Sequence, residues 1–281
     1  MDLSKIKGSI WFDGEIVDWQ DANVHLLTHT LHYGLGVFEG VRAYATPTGS
    51  CIFRLEDHTN RLFKSAETVS MKIPFTKMDI NDAHKQVIRL NNLTEAYIRP
   101  MCFYGSEGMG LRADNLAVHC MLAAWEWPSY MEPEAREKGI KVKLSSYTRQ
   151  VRNPVSSAKV NGNYVHSIVA LNEALEEGFD EALMLDAEGN IAEGSGENFF
   201  IVKDGVLFTP DLDASLDGIT RRTILDLAKE LDVEFEIKKL KVDDVLNADE
   251  AFFSGTAAEV VPINSLDNQS IGKGSRGPLT E

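Results

Sequence analysis

The chain has 281 residues, 43% hydrophobic and 25% charged, which suits one large or two ordinary folded domains and excludes a disordered segment. A formal net charge of −15 excludes a general nucleic-acid binder, which needs a positive footprint, but permits a small anion held by local arginines or a helix N-terminus. The opening MDLSKIKGSIWFDGE lacks a signal-peptide design, and no run of eighteen apolar residues follows; Cys51, Cys102 and Cys120, with no CxxC pair, point to buried free thiols in a reducing, cytoplasmic setting.

In chain order, SIWFDGEIVDW (9–19) holds two short apolar runs around Asp13-Gly14 and predicts a hairpin. Residues 55–69 read as a helix, with Leu55, Leu62, Phe63, Ala66 and Val69 near helical spacing. A second helix spans 81–92, closed by Asn91-Asn92, and buried strands follow at 96–104 and 117–125. Residues 126–138, EWPSYMEPEAREK, carry two prolines, four glutamates and no apolar rhythm, so they read as a linker. The predicted organisation is an N-terminal α+β domain over 1–125, this linker, and a C-terminal α+β domain over 139–281.

Beyond the linker come a strand at 140–145, a helix at 164–177, and a strand at 181–186 ending in the 187–190 turn. Residues 198–203 and 206–209 form a hairpin across Asp204-Gly205. The 220–231 helix is amphipathic, with Ile224, Leu227, Ala228 and Leu231 on one face, and strands follow at 234–240 and 251–254. Strands arriving largely as hairpins predict α+β architecture rather than a doubly wound parallel sheet.

Lys159 is the single full charge in the twenty residues 153–172, where the chain average would place about five. Burial disfavours the ammonium form and leaves a free amine able to attack a carbonyl; the bland alternative is a lysine that snorkels to water. Tyr164 follows closely and brings a phenol within reach of the same chemistry. His25, His29 and His32 stand at i, i+4 and i+7, but without a nearby carboxylate or thiolate set they read as packing residues, and no metal is expected. Gly272, Gly274 and Gly277 spell GxGxxG, yet only four residues follow and the first is Pro278, so the dinucleotide reading fails on context.

Glu193-Gly194-Ser195-Gly196-Glu197-Asn198 places a carboxylate on a tight turn at the entrance of an apolar strand. Leu216-Asp217-Gly218-Ile219-Thr220-Arg221 opens the amphipathic helix, and Ser254-Gly255-Thr256-Ala257-Ala258 offers small residues after a strand. Both are ready anion-binding turns. An isolated lysine, a buried acid and two such turns are the parts of a pyridoxal phosphate site.

With those residues in view, the chain resembles the class IV aminotransferases, pyridoxal phosphate enzymes of fold type IV. The resemblance rests on Glu193-x-Ser195-x-x-Asn198-Phe199-Phe200, Leu207-x-Thr209 and Leu216-x-Gly218-Ile219-x-Arg221. Tyr33-Gly34, Val37-Phe38-Glu39-Gly40, His58 to Leu62, Tyr97-Ile98-Arg99-Pro100 and Gly108-Met109-Gly110 extend it to the branched-chain amino-acid group over nearly the whole chain. It implies a smaller N-terminal α/β domain, a larger C-terminal α+β pseudo-barrel domain, and a homodimer or larger homo-oligomer.

The same resemblance implies Lys159 as the lysine that carries pyridoxal 5'-phosphate and shuttles the proton. It implies Glu193 as the partner of the pyridinium nitrogen and Tyr164 near the cofactor O3′. Arg61, Ile219, Thr220 and Thr256 would hold the phosphate, and Leu216 would pack on the ring. Tyr97, Thr256 and Ala257 would bind the substrate carboxylate, and Arg99 the distal carboxylate of glutamate. Phe38, Trp127 and Tyr130 would line the apolar pocket, with Tyr33, Gly40 and Met109 beside it. Arg112 would lie on an interdomain or intersubunit loop.

The expected reaction is transamination between leucine, isoleucine or valine and 2-oxoglutarate. The alternatives are a D-amino-acid or amine transaminase, or an aminodeoxychorismate-type lyase, of the same class. A non-catalytic relative would be expected to have lost Lys159, Glu193 or Arg61, and all three are present. Relatives usually continue past Gly277-Pro278-x-Thr280 into a C-terminal helix, which is not found before Glu281.

Overall fold

The computed structural model describes residues 2–127, 133–150 and 153–281. Two compact units emerge: Met1–Pro128 with Ala158–Gly162, and Ser129–Ser157 with Asn163–Glu281. This division departs from the predicted one, because the short stretch carrying Lys159 returns to the first unit.

The first unit holds β1 (Ser9–Phe12), β2 (Glu15–Asp18), α1 (His29–Tyr33), β3 (Gly36–Phe38), β4 (Val41–Thr46), β5 (Gly49–Ile52), α2 (Leu55–Thr68), α3 (Lys77–Leu90), β6 (Ala96–Tyr104) and β7 (Val118–Trp125). The strands form one sheet in the order β2-β1-β7-β6-β4-β5, with β3 also on β6, all antiparallel. The predicted Asp13-Gly14 turn closes β1 on β2, with φ of 49° and 94°, as a two-residue hairpin of this type requires.

Side-chain alternation gives the sheet two different faces. Val41, Ala43, Ala96, Ile98, Cys102, Cys120, Leu122 and Ala124 join Leu62 and Ala66 of α2 and Ile80, Ala83 and Val87 of α3 in the core. Arg42, Tyr97, Arg99, Met101 and Trp125 alternate with them; Arg42 lies opposite Tyr97, and Tyr97 opposite Trp125.

Several local expectations shift here. Helix α3 begins at Lys77, before the predicted start, because Thr76 and Asp79 form a reciprocal capping box. Helix α1 is only five residues long, so His25 stands outside it and the three histidines do not share a helical face. Strands β3, β4 and β5 were not foreseen. Cys51 is exposed, contrary to the expectation of buried thiols, whereas the buried Cys102 and Cys120 face each other with sulfurs 3.3 Å apart.

His84 on α3 gives the first unit an acid sensitivity. Its Nδ1 donates to the Ile80 carbonyl at 2.7 Å, and its buried Nε2 has no hydrogen-bond partner. Burial pushes the ring down to about 4 from its ordinary 6.5. Between those values the unfolded chain takes up a proton that the folded chain refuses, so stability falls as pH falls through that window. The full loss is about 3 kcal/mol. Denaturant unfolding at stepped pH should show this slope, and His84→Gln should flatten it; an equal slope in the variant would assign it elsewhere.

The segment 158–162 packs on β3 and α1. Val160 bridges Val37, the Lys159 carbonyl accepts from Phe38 N at 3.1 Å, and Gly162 N donates to the Gly34 carbonyl at 3.0 Å.

The second unit holds α4 (Pro133–Lys138), β8 (Ile140–Arg149), α5 (Tyr164–Glu176), β9 (Glu181–Asp186), β10 (Ile191–Gly194), β11 (Asn198–Lys203), β12 (Val206–Thr209), α6 (Ile219–Glu230), β13 (Phe235–Ile237), α7 (Val242–Leu246), β14 (Glu250–Gly255), β15 (Glu259–Leu266) and β16 (Gln269–Ser270). The sheet runs β10-β9-β8-β15-β14-β11-β12-β13, with β16 on β15. Pairings of β8 with β9 and β15, and of β12 with β13, are parallel; the rest are antiparallel. This is an α+β fold.

Strand β11 shows why the apolar run NFFIVK resists alternation. Phe199 and Ile201 pack with Val142, Leu183 and Phe253, while Phe200 and Val202 pack with Leu225 and Ala228 of α6. A strand covered on both faces needs apolar residues at every position. Gly272, Gly274 and Gly277 lie in turns, and Leu279 N and Thr280 N donate to the buried Glu250 carboxylate. Among the described residues, no helix is long and apolar enough to cross a membrane.

Candidate active site

In the first unit, Lys159 is gripped through its backbone. Its N–H donates to Ser65 Oγ of α2 at 3.1 Å, and its carbonyl accepts from Phe38 at the end of β3. Its Nζ stands over the Phe38 ring, 4.7 Å from the centroid. The Arg99 guanidinium stands over that same ring at 4.9 Å. One aromatic ring thus fixes an amine and a guanidinium through its quadrupole.

Arg99 Nη2 donates to Tyr97 Oη at 2.9 Å, and its Nε is buried with no hydrogen-bond partner. Trp127 packs 5.1 Å from the Tyr97 ring. A Cβ at Gly40 would overlap the Tyr97 phenol, so glycine is needed there for the close approach. The structure therefore gathers Phe38, Gly40, Tyr97, Arg99, Trp127 and Lys159.

Arg61 projects from α2 onto Glu39, next to Phe38 in sequence; its Nε donates at 2.6 Å and its Nη2 at 2.8 Å. Tyr33 and Met109 lie on exposed surface, where Tyr33 Oη accepts from Gly110 N at 3.0 Å. Arg112 forms an exposed ion pair with Asp114 at 2.6 Å. Tyr130 lies outside the described residues.

In the second unit, three turns converge. Glu193 is the penultimate residue of β10, is 6% exposed, and accepts from Leu216 N at 3.0 Å. Asn198 at the start of β11 reaches Glu193 at 3.4 Å and donates to the Leu216 carbonyl at 2.8 Å. It thereby ties the acid to the turn before α6. Asn198 Oδ1 lies so close to Gly218 that a Cβ there would overlap it.

Strand register places Asn198 opposite Ser254, and Gly255 lies beside Gly196 and Glu197 of the first turn, with Thr256 and Ala257 following in sequence. Ser254 Oγ is buried with no hydrogen-bond partner. Helix α6 starts at Ile219 with neither a side-chain cap nor an acidic residue in its first turn, so the amides around Ile219 and Thr220 favour an anion. Tyr164 is half-buried at the start of α5.

Two features escaped the sequence reading. Arg149 forms a buried ion pair with Glu193. The predicted strand ended at 145, whereas β8 runs on to Arg149 and delivers that side chain to the acid. Ser195 hydrogen-bonds the buried Glu181 carboxyl, which burial pushes up from its ordinary value. Neither partnership leaves a local signature, because each joins residues brought together by strand pairing.

The first unit thus presents a lysine amine beside a guanidinium with an unpartnered Nε, and the second a buried paired carboxylate beside an uncapped helix terminus that suits an anion. Comparison with known proteins agrees. The family model "Amino-transferase class IV" matches residues 36–266. The branched-chain-amino-acid aminotransferase of Pseudomonas aeruginosa is 57% identical over 282 residues, covering 100% of this chain and 92% of the relative.

The crystal structure of the Escherichia coli branched-chain amino acid aminotransferase superposes with a TM-score of 0.95 at 44% identity, covering 98% of this chain and 91% of that one. The branched-chain amino acid aminotransferase of Thermobaculum terrenum, in its PLP-bound holo-form, gives 0.90 at 33% identity, with coverage of 98% and 90%. By this full-length similarity and by its fold, the chain belongs to the class IV aminotransferases, within their branched-chain amino-acid group.

Proposed function

We propose that this protein transfers the amino group of leucine, isoleucine or valine to 2-oxoglutarate, giving branched-chain 2-oxo acids and L-glutamate, with pyridoxal 5'-phosphate as cofactor. The observation that carries this reading is the shared Phe38 ring, which contacts both the Lys159 amine and the Arg99 guanidinium. Within the first unit the unpartnered Arg99 Nε suits a carboxylate, and within the second the unpartnered Ser254 Oγ and the uncapped α6 terminus suit an anion such as a phosphate.

When bound, the cofactor supplies a carbonyl for the amine and an electron sink that makes the substrate α-proton removable. The chain supplies the rest. Lys159 would hold the cofactor through Nζ, and its free amine would take up and return the substrate α-proton. Glu193, oriented by its ion pair with Arg149, would keep a proton on the pyridine nitrogen. Tyr164 and Leu216 would complete the cofactor's binding residues.

Arg61, Ile219, Thr220 and Thr256 would hold the phosphate. Tyr97, Thr256 and Ala257 would hold the substrate carboxylate. Phe38 and Trp127 would exclude water around the aliphatic side chain, Gly40 letting the Tyr97 ring approach closely; the resemblance adds Tyr130, Tyr33 and Met109 to that pocket.

A second copy of the chain is the proposed partner. Leu26 and Leu111 are 83% and 91% exposed, and Val24, Leu27, Leu31, Tyr33 and Met109 add to this apolar surface of the first unit. Burying it in a homo-oligomer would remove its contact with water. We also propose a cytoplasmic location, supported by three cysteines with no CxxC pair.

A panel of single amino acids, each followed by its half-reaction spectrum, tests the activity. Turnover restricted to D-amino acids or amines would overturn it. Arg99→Ala should cost glutamate and 2-oxoglutarate about 1.5–3 kcal/mol in kcat/KM, the range for a hydrogen bond to a charged group. Leucine and valine make no such contact and should lose much less. Equal losses for glutamate and leucine would leave Arg99 a structural role.

A further inference from the structure

Glu39 is fully buried and has no part in the chemistry described above. Arg61 Nε and Nη2 grip its two carboxylate oxygens at 2.6 and 2.8 Å, and His58 Nδ1 donates to Oε2 at 2.8 Å. His58 and Arg61 stand three residues apart on α2, so both reach one carboxylate from one helix face. Burial alone would raise that carboxyl; the guanidinium and the ring outweigh it and hold it well below the usual carboxylate range. Burial pushes His58 down, against the pull of Glu39, with Arg61 and Lys159 adding to the depression. The cluster is thus one anion and one guanidinium beside a neutral ring.

A fork-to-fork pair fixes the plane of a guanidinium as well as its position. The same junction of β3 and α2 grips the backbone of Lys159 through Phe38 and Ser65. We propose that Glu39 is a positioning residue that locks the Arg61 guanidinium in the orientation needed to receive the cofactor phosphate. This rests on the reading of Arg61 as a phosphate-binding residue. An arginine ordered in advance loses less side-chain freedom on binding, and freezing one such side chain is worth up to about tenfold in affinity.

The test compares pyridoxal 5'-phosphate with pyridoxal, which lacks the phosphate, for binding to cofactor-free full-length protein. Glu39→Gln should weaken the phosphorylated ligand about tenfold and leave pyridoxal unchanged. The 31P resonance of the bound ligand should shift in the same variant. Equal weakening of both ligands, or of neither, would overturn the proposal, because a merely structural role has no preference for phosphate.

Arg61→Gln separates the two readings. If it leaves the ratio of the two affinities unchanged, Arg61 does not hold the phosphate and the underlying reading falls. If it lowers that ratio while Glu39→Gln does not, only the role of Glu39 falls. Should Glu39→Gln fail to fold, Glu39→Asp keeps the charge but retracts the fork by one methylene. It should lower the ratio in the same direction, and an unchanged ratio would again overturn the proposal.

Discussion

Lys159→Ala should lose at least about 10⁴-fold in turnover, the upper end of what one positioned acid–base group contributes, because in the proposed mechanism the same amine is also the nucleophile. The fold should survive. The residue is held by its backbone, to Ser65 Oγ at 3.1 Å and to Phe38 N at 3.1 Å, and neither bond needs the side chain. The Phe38 ring also keeps its second cation, Arg99.

Borohydride reduction followed by peptide mass analysis reads the role directly. In the wild type the Lys159 peptide should gain a phosphopyridoxyl group, the mass of the cofactor less one oxygen because water leaves and two hydrogens are added, and in the variant no peptide should. Cofactor fixed on another lysine, or near-normal turnover in the variant, would remove Lys159 from the mechanism.

Glu193→Gln should lower kcat by about 10²–10³ with little change in KM, since the carboxylate acts on charge that develops only in the transition state. The structure adds a cost in stability. Removing the carboxylate leaves Arg149, 11% exposed, without its anion. Breaking such a pair costs about 3–5 kcal/mol.

The two effects separate in a double-mutant cycle with Arg149→Met. In urea unfolding, the double variant should be much less destabilised than the sum of the single ones, because the lone buried charge is gone. The kcat loss should track Glu193 in both backgrounds. A rise in KM alone would make Glu193 a binding residue, and additive stabilities would mean that the ion pair contributes nothing.

Much of this protein is written locally. The Asp13-Gly14 hairpin, helix α2, strand β6, and the β11–β12 hairpin across Asp204-Gly205 fall where alternation, helical spacing and turn residues placed them. Those signals span a few residues and need no knowledge of the rest of the chain. Lys159 was legible for the same reason: a single charge in a neutral stretch is a local fact. So was the EGSGEN turn that carries Glu193.

Partnerships were not legible. Nothing near Glu39 says that it pairs with an arginine 22 residues on and a histidine 19 residues on, because that depends on how α2 packs beside β3. Arg149 meets Glu193 only because β8 runs farther than its apolar pattern suggests. Cys102 and Cys120 look unrelated in the sequence, yet the β6–β7 register sets their sulfurs face to face.

The return of 158–162 to the first unit was hidden for the same cause. Its anchors include backbone hydrogen bonds to Phe38 and Gly34, a bridge to Val37 and a bond from Lys159 N to Ser65 Oγ, partners that lie far away in the sequence. Composition and spacing thus determined many of the elements and singled out Lys159 and Glu193 as candidate reactive groups. Strand register and helix packing decided which groups meet, since a buried charge is tolerated only where the folded chain delivers its partner.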